Sequence, residues 1–361
     1  MKYDIFLDSF RQFVADTPEE ELRDDRKYVF LSDMHMGNGG GRDDLAINRH
    51  LVEDMLEHWY LPNGYYLILN GDIEDLNKFP LFAIRKAWKH LLELFDAFDR
   101  AGRLRKICGN HDLELMAQRD YPWEVRQGLM YRYGNNRIFV FHGHQASNLY
   151  VNYKRISSFL IRWVVKPLHI RNSGLSRNPR KRFAKERRIY QAARALGLVA
   201  ITGHTHRPLF ESLSKYDNVR FTLERLLDEF LDAENGRKEA LQKEICLYRD
   251  ELYRLANAKE KEKKTQSLYD DGPFLIPCLF NSGCATGKNG LNVLEITEGT
   301  IALMYWTSRE HSHPYIEKEA LESIAAGERS QRHTLHKARL ASIFTRIELL
   351  GENSTPDCPE R

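Results

Sequence analysis

The sequence has 361 residues, of which 42% are hydrophobic and 29% charged, and a net charge of +3, values that describe an ordinary globular protein and exclude a polycation. Its five cysteines are odd in number and lack CxxC spacing, which argues against a disulfide framework. Because the sequence contains neither a signal-peptide pattern nor about 20 consecutive apolar residues, we expect a cytoplasmic protein without a membrane span.

Five short apolar runs predict the buried strands of a sheet. Their length and their β-branched and aromatic content favour strands over helices, and they occupy residues 28–32, 65–70, 104–108, 137–141 and 198–202. Amphipathic stretches at 45–60 and 81–100 separate the first three runs. This alternation of strand and helix predicts an α/β fold.

Each predicted strand is followed directly by polar residues that suit metal binding. In chain order, the motifs are Asp33-Met34-His35, Gly71-Asp72-Ile73-Glu74-Asp75, Gly109-Asn110-His111-Asp112, His142-Gly143-His144 and Gly203-His204-Thr205-His206. Ligands of α/β sheets bind beyond the carboxyl ends of the strands, so we expect the five motifs to meet at one edge. Carboxylate, imidazole and amide groups bind Mn²⁺, Fe²⁺ and Zn²⁺, and two such ions can clamp a phosphate and activate a water.

The order of these motifs resembles that of the calcineurin-like metallophosphoesterase superfamily. The resemblance covers roughly residues 28–210 and the predicted strands near 278–306. It implies an α/β fold in which two facing sheets form a sandwich flanked by helices, as one domain over residues 1–361 with helical insertions. It also implies a metal-dependent phosphoesterase that hydrolyses a phosphoester or diphosphate bond through a hydroxide bound to two metal ions, which would be Mn, Fe or Zn.

Seven residues of the motifs match the ligands of that family's dinuclear centre. By this resemblance, one ion would bind Asp33, His35 and His206, the other would bind Asn110, His142 and His204, and Asp72 would bridge the two.

Four further motif residues are expected to assist. His111 matches the family's catalytic histidine, which would protonate the leaving oxygen or stabilise charge on the phosphoryl group. Asp112 would either orient His111 or cap the next helix. Asp75 is expected to hold a ligand histidine in place. His144 is either a supporting residue of the same kind or a further ligand that could approach the first metal, as in the family branches that carry HGH.

A basic insertion at 145–190 is expected to act as a lid beside the site. Residues 151–190 contain twelve Lys or Arg and one acid, a net charge of +11, which leaves −8 for the rest of the chain. We expect Arg155, Arg162 and Lys166 to contact substrate. Apolar residues are interleaved with the basic ones, so a phosphorylated, partly apolar substrate, an anionic membrane surface, a nucleic acid and a solvated helix are all compatible with the pattern.

The insertion is similar in position to the lid of UDP-2,3-diacylglucosamine pyrophosphatases, which act on a lipid-linked diphosphate. Those proteins usually carry arginine at the position of His111, and HGD where this chain has His142-Gly143-His144. This similarity is therefore partial, and it leaves open a phosphorylated small molecule or a lipid-linked phosphate as substrate.

Two segments lie outside the resemblance. Residues 219–264 predict a helical hairpin with coiled-coil-like spacing, which could form a homodimer or pack on its own domain. Residues 317–361 predict a mostly helical C-terminal tail. The rival functions are a nuclease or phosphodiesterase acting on nucleic acid through 151–190, a Ser/Thr-phosphatase-like phosphomonoesterase, and a scaffold on the same fold that has lost catalysis.

Overall fold

The computed structural model describes residues 2–146, 179–257, 275–310 and 314–351. Within these ranges the helices are α1 Lys2–Asp16, α2 Arg49–Met55, α3 Leu81–Ala87, α4 Lys89–Arg100, α5 Pro179–Leu196, α6 Lys215–Asp232, α7 Asn235–Asn257, α8 Pro314–Glu319 and α9 Leu340–Leu350. The strands are β1 Glu19–Glu21, β2 Lys27–Leu31, β3 Tyr65–Asn70, β4 Leu104–Ile107, β5 Val125–Arg126, β6 Gly128–Tyr133, β7 Asn136–Phe141, β8 Val199–Thr202, β9 Leu209–Phe210, β10 Leu213–Ser214, β11 Leu279–Asn281, β12 Leu291–Thr297, β13 Thr300–Ser308, β14 Glu322–Ala325 and β15 Ser330–Arg339.

The described strands form two mixed sheets. One has the order β14-β15-β13-β12-β2-β3-β4-β5 and the other the order β1-β6-β7-β8-β11-β9-β10. The strands β2, β3 and β4 are parallel to one another, and so are β7 and β8. This arrangement confirms the α/β fold with two sheets and flanking helices.

All five strands expected from the apolar runs are present, within one residue at each end. They are divided between the sheets, with β2, β3 and β4 in one and β7 and β8 in the other. The polar motifs therefore approach one another from two sheets rather than from a single edge. A parallel arrangement within each sheet keeps the carboxyl ends of neighbouring strands together.

Alternation along the strands divides the core into two clusters. In β2 and β3, Phe30 and Ile68 belong to a cluster that includes Phe139 of the facing sheet, whereas Val29 and Leu67 pack on the opposite face among residues of α2 and α4. Helix α1 covers the second sheet, where the Phe13 ring packs edge-on against the Phe139 ring with centroids 4.9 Å apart. Helices thus cover the outer faces, and the strand ends remain available for the polar loops.

The C-terminal segment departs from the sequence prediction. The expectation of a mostly helical tail is wrong for residues 322–339, which form β14 and β15 and extend the larger sheet beyond β13. Helix α9 follows directly and buries Ile343 and Phe344. By contrast, α6 and α7 form the expected hairpin.

Within the described ranges, every helix is too short or too polar to span a bilayer. Most of the basic insertion, including Arg155, Arg162 and Lys166, falls outside those ranges.

Candidate metal centre

Loops after five strands carry the predicted ligands into two groups. The donor atoms of Asp33, His35 and His206 lie within 4.8 Å of one another, and so do those of Asp72, His142 and His204. These are the two sets that the resemblance assigned to separate ions, apart from Asn110. The side-chain oxygen of Asn110 is buried in the loop after β4 and makes no hydrogen bond.

Imidazole nitrogens and a carboxylate oxygen converge in the first group. His206 Nε2 lies 3.1 Å from Asp33 Oδ1 and 3.1 Å from His35 Nε2. His35 Nε2 is 3.9 Å from Asp33 Oδ1 and 4.0 Å from Asp72 Oδ2. Asp72 therefore borders this group as well as its own.

The second group shows most directly that a cation fits. His142 Nδ1 lies 2.8 Å from the carbonyl oxygen of Asn70, which can only accept, so Nδ1 carries the hydrogen. The other nitrogen, Nε2, is buried without a hydrogen bond and lies 3.1 Å from Asp72 Oδ2. A neutral nitrogen lone pair facing a carboxylate at this distance requires a proton or a metal ion between them. A hydrogen bond from the other ring nitrogen to a backbone carbonyl oxygen is typical of ligand histidines, because it fixes the orientation of the ring.

Electrostatics keep the carboxylates ionised and two of the imidazoles neutral. Burial alone would raise the pKa of Asp72, but the charge of His142 holds it well below its usual range. Burial alone would lower the pKa of His142, yet Asp72 and Asp33 raise it to about 9. Burial lowers the pKa of His35 to about 4, and it also holds that of His204 well below its usual value. His35 and His204 are therefore neutral at neutral pH, the form in which an imidazole binds a metal ion.

The ligand loops adopt an uncommon backbone conformation. Of the eight non-glycine residues with positive φ in the described part of the chain, five are predicted ligands, namely Asp33, His35, Asp72, His204 and His206. Left-handed backbone is uncommon for any residue other than glycine, although Asp and His adopt it more readily than most, and such strain concentrates at functional sites. Backbone hydrogen bonds between loops hold the conformation, for example from the amide of His35 to the carbonyl oxygen of Asp72 at 2.9 Å.

Two glycines let the loops approach each other. A Cβ on Gly203 would lie 2.5 Å from Asp33 Oδ2, and one on Gly109 would overlap the carboxylate of Asp72. Both glycines belong to the motifs found in the sequence, and close approach explains why each motif places glycine before its ligand.

His111 is held by Asp75. Its Nδ1 lies 2.8 Å from Asp75 Oδ1, and its backbone amide donates to Asp72 Oδ1 at 2.8 Å. Burial would lower the pKa of His111, but Asp72 and Asp75 raise it. Asp75 was expected to position a ligand histidine, and it positions the expected catalytic histidine instead.

Both contacts expected of Asp112 are wrong. Its carboxylate neither bonds to His111 nor caps the short helix that follows, but accepts hydrogen bonds from the backbone amides of Gly109 and Ile73, the latter at 2.8 Å. It lies 3.9 Å from the buried ammonium of Lys106. Burial raises the pKa of Asp112 to about 6. Asp112 thus joins two ligand loops to each other.

His144 lies beside the second group rather than the first. Its ring centroid is 5.6 Å from that of His142 and 6.4 Å from that of His204. This position favours a supporting role beside His142 and His204 over the alternative of a ligand to the first metal. Burial lowers the pKa of His144 to about 3, so its ring is neutral.

The structure adds a residue that sequence reasoning did not single out. Lys185 of α5 is 7% exposed, and its Nζ lies 2.6 Å from His204 Nε2. Its neighbour Glu186 pairs with Arg207, directly after His206. In the sequence, Lys185 is one of twelve basic residues between positions 151 and 190, and its contact depends on the rotation of α5. Arg155, Arg162 and Lys166 lie outside the described residues, so their expected substrate contacts stay predictions.

Several solved structures are weakly similar to this chain. Yfce, a phosphoesterase from E. coli, is 13% identical, with a TM-score of 0.31 and an alignment covering 76% of this chain and 91% of that one. A conserved protein of Streptococcus pneumoniae, described as a phosphoesterase by prediction, is 13% identical, with a TM-score of 0.28 and coverage of 86% and 97%. A dimetal phosphatase from Danio rerio is 10% identical, with a TM-score of 0.35 and coverage of 87% and 100%. No curated protein matches this chain significantly.

The comparison with protein families is decisive. The sequence profile described as calcineurin-like phosphoesterase matches residues 26–208, slightly more than half of the chain. The matched segment begins just before β2 and ends just after His206, so it contains all five polar motifs. The chain belongs to the calcineurin-like phosphoesterase family.

Proposed function

We propose that this protein hydrolyses a phosphoester or diphosphate bond at a dinuclear metal centre. The observation that supports this most strongly is the position of Asp72 between the two ligand groups. Its Oδ2 atom lies 3.1 Å from His142 Nε2 of one group and 4.0 Å from His35 Nε2 of the other. One carboxylate can therefore contribute to two ions, with Asp33, His35 and His206 around the first and Asn110, His142 and His204 around the second.

Two bound divalent ions would polarise the phosphoryl oxygens and lower the pKa of a water molecule. Asp33 and Asp72 supply two negative charges against four positive ones, and the remaining positive charge favours an anionic ester. The nitrogen and oxygen donors suit Mn, Fe and Zn alike.

His111 is proposed as the group that gives a proton to the leaving oxygen. Its Nε2 is 4.0 Å from Asp72 Oδ2, at the border of the centre, and 18% of its side chain is exposed. The ring is fixed by Asp75 on one side and packs edge-on against His35, with centroids 4.6 Å apart. A fixed and partly exposed imidazole can reach a substrate bound at the metals.

The substrate is proposed to be a phosphorylated small molecule or a lipid-linked phosphate. The buried ammonium of Lys185 supports this, because it adds positive charge beside His204. A charge in that position favours a substrate with more than one negative charge.

The test is metal-dependent hydrolysis. Protein stripped with a chelator should be inactive on p-nitrophenyl phosphate and on bis(p-nitrophenyl) phosphate, and activity should return with Mn²⁺ as about two ions bind per chain. The preferred ester would show whether monoesters or diesters are substrates. Activity that survives complete metal removal would contradict the proposal, and failure to bind any metal would favour the scaffold.

Asp72→Asn provides the matching variant. It removes the shared charge with little change in shape, so metal content and activity should both fall while the circular dichroism spectrum stays the same. Mutating a residue that hydrogen-bonds to a metal ligand typically lowers metal affinity or activity about 10–100-fold. We therefore expect Asp72→Asn, which changes a bridging ligand itself, to lower activity about 100-fold or more. Asp25→Asn is the control, since Asp25 pairs with Arg23 far from these loops. Full activity of Asp72→Asn would rule out the bridging role.

A further inference from the structure

A buried lysine joins two of the ligand loops. The side chain of Lys106, in β4, is fully buried, and its ammonium nitrogen lies 2.7 Å from Glu74 Oε2 and 3.9 Å from Asp112 Oδ2. Tyr121 completes the group, because its hydroxyl donates to Glu74 Oε1 at 2.6 Å. Lysine is almost never buried this completely unless it is paired, and here both nearby acids are buried with it.

The two acids of this group lie beside predicted metal ligands. Glu74 is two residues after Asp72, in the loop after β3, and Asp112 is two residues after Asn110, in the loop after β4. Lys106 therefore contacts both loops. Because the proposed second ion would take one ligand from each loop, its binding depends on the distance between them.

The loops after β2 and β3 are held together in a different way. Their backbones continue the pairing of the strands, for example through the hydrogen bond from the amide of His35 to the carbonyl oxygen of Asp72 at 2.9 Å. Side chains make the connection between the loops after β3 and β4. Lys106 pairs with Glu74, and Asp112 accepts a hydrogen bond from a backbone amide of the loop after β3. A connection of this kind can be removed by substitution without breaking a backbone ladder.

The energetics of a buried ion pair favour a role in geometry. The cost of desolvating two charges offsets much of their attraction, so an apolar pair of similar volume is often as stable. The ammonium nevertheless fixes the distance between the groups that it binds. The pair of Lys106 with Glu74 is therefore explained better by positioning than by stability.

We propose that Lys106 is a positioning residue that sets the separation of the Asp72 and Asn110 loops for the second metal ion. This inference rests on the proposed dinuclear centre, and it assigns to Lys106 a larger effect on one ion than on the other. The residues placed around the first ion lie on the loops after β2 and β8 instead, namely Asp33, His35 and His206.

The double variant Lys106→Met with Glu74→Met tests this role. It replaces the ion pair by apolar side chains of similar size and leaves the net charge near the metals unchanged, so the fold should be retained. Isothermal titration calorimetry with Mn²⁺ should show one ion bound as in wild type and the other bound about 10–100-fold more weakly, the range typical of residues that support metal ligands. Urea unfolding of the metal-free proteins should give similar midpoints.

A second variant and a matched control complete the experiment. Tyr121→Phe removes only the hydroxyl that holds Glu74, so it should weaken the same ion by a smaller factor. The control is Arg332→Met with Glu295→Met, which removes another buried ion pair of the same sheet, 2.6 Å long, with side chains 12% and 3% exposed. That pair also bonds to Tyr65 at the start of β3, the end opposite the ligand loops, so both ions should bind as in wild type.

The outcomes separate this inference from the proposed function. If wild type binds two ions and the Lys106 double variant binds both equally tightly, the positioning role is refuted while the dinuclear centre stands. Equal weakening of both ions, or the same weakening by the Arg332 control, would show a general disturbance and would also refute it. A wild type that binds no metal would overturn the dinuclear centre and this inference together.

Discussion

Replacing Asp75 with Asn should remove most of what His111 contributes to hydrolysis. Asp75 Oδ1 is 2.8 Å from His111 Nδ1, and Lys78 Nζ is 2.8 Å from the other carboxylate oxygen. A hydrogen bond to a charged group contributes about 1.5–3 kcal/mol, so kcat/KM should fall about 10–150-fold. The loss follows because an unanchored imidazole no longer points its Nε2 toward the leaving oxygen.

A double-mutant cycle separates this effect from a general disturbance of the site. We would measure kcat/KM on the preferred ester at saturating Mn²⁺ for Asp75→Asn, His111→Gln and the pair. If Asp75 acts through His111, then the double variant should be no slower than His111→Gln alone. An equal loss from Asp75→Asn with and without His111 would refute the reasoning.

Asp112→Asn is the matched control for this cycle. Asp112 is directly next to His111 in the sequence, but its carboxylate accepts hydrogen bonds from the amides of Gly109 and Ile73 and makes none to the ring. Its effect should therefore add to that of His111→Gln. Strong coupling of Asp112 with His111 would restore the role that the sequence first suggested.

The remaining predictions concern the surroundings of the site and the stability of the fold. Lys185→Met should raise KM about tenfold with metal content retained, because it removes an ammonium that favours the anionic substrate; loss of metal would mean that it acts on the ligand histidine instead. Gly109→Ala should weaken metal binding by pressing on Asp72 and destabilise the apo-protein by about 1–3 kcal/mol, whereas Gly41→Ala, with open space around it, should do neither. Glu20, whose pKa burial would raise but two arginines lower, should stabilise the metal-free protein by about 1 kcal/mol near neutral pH. Because a depressed carboxyl pKa favours the fold only while the group is ionised, the difference between Glu20→Gln and wild type in urea unfolding should vanish as pH falls through that pKa.

The positions of the ligands could be predicted from the sequence because each one follows a strand. A buried strand is recognisable from its apolar run, and the glycine and the ligand after it are adjacent in the chain. The partner of His111 was not predictable, because Asp75 lies 36 residues before it in the chain and only the loop conformation brings Asp75, rather than the adjacent Asp112, to the ring. Lys185 escaped attention for a similar reason, since the rotation of α5 alone decides which basic side chain enters the site.

The tail shows a different limit of sequence reasoning. Residues 330–339 contain Lys, Arg, His and Leu without clear alternation, a pattern that gives no strand signal. They form β15 because the edge of β13 offers a ladder of backbone hydrogen bonds, and because His333 there can be buried between Thr307 and Ser323. Tertiary context of this kind often overrides local propensity in strands.

The left-handed backbone of the ligands bears on how the metal centre forms. Asp33, His35 and Asp72 have φ of 52–53°, a conformation that costs about 1 kcal/mol or more for each non-glycine residue. Backbone contacts between the loops stabilise this conformation, such as the hydrogen bond from the amide of Asp33 to the carbonyl oxygen of Gly71 at 3.0 Å. Because these contacts involve protein atoms alone, we expect the proposed metal centre to be preformed, unlike sites whose folding depends on the ion. Chelation should accordingly abolish activity while leaving the far-ultraviolet circular dichroism spectrum and the exchange protection of these loop amides largely intact, and loss of that protection would show that the ions impose the conformation.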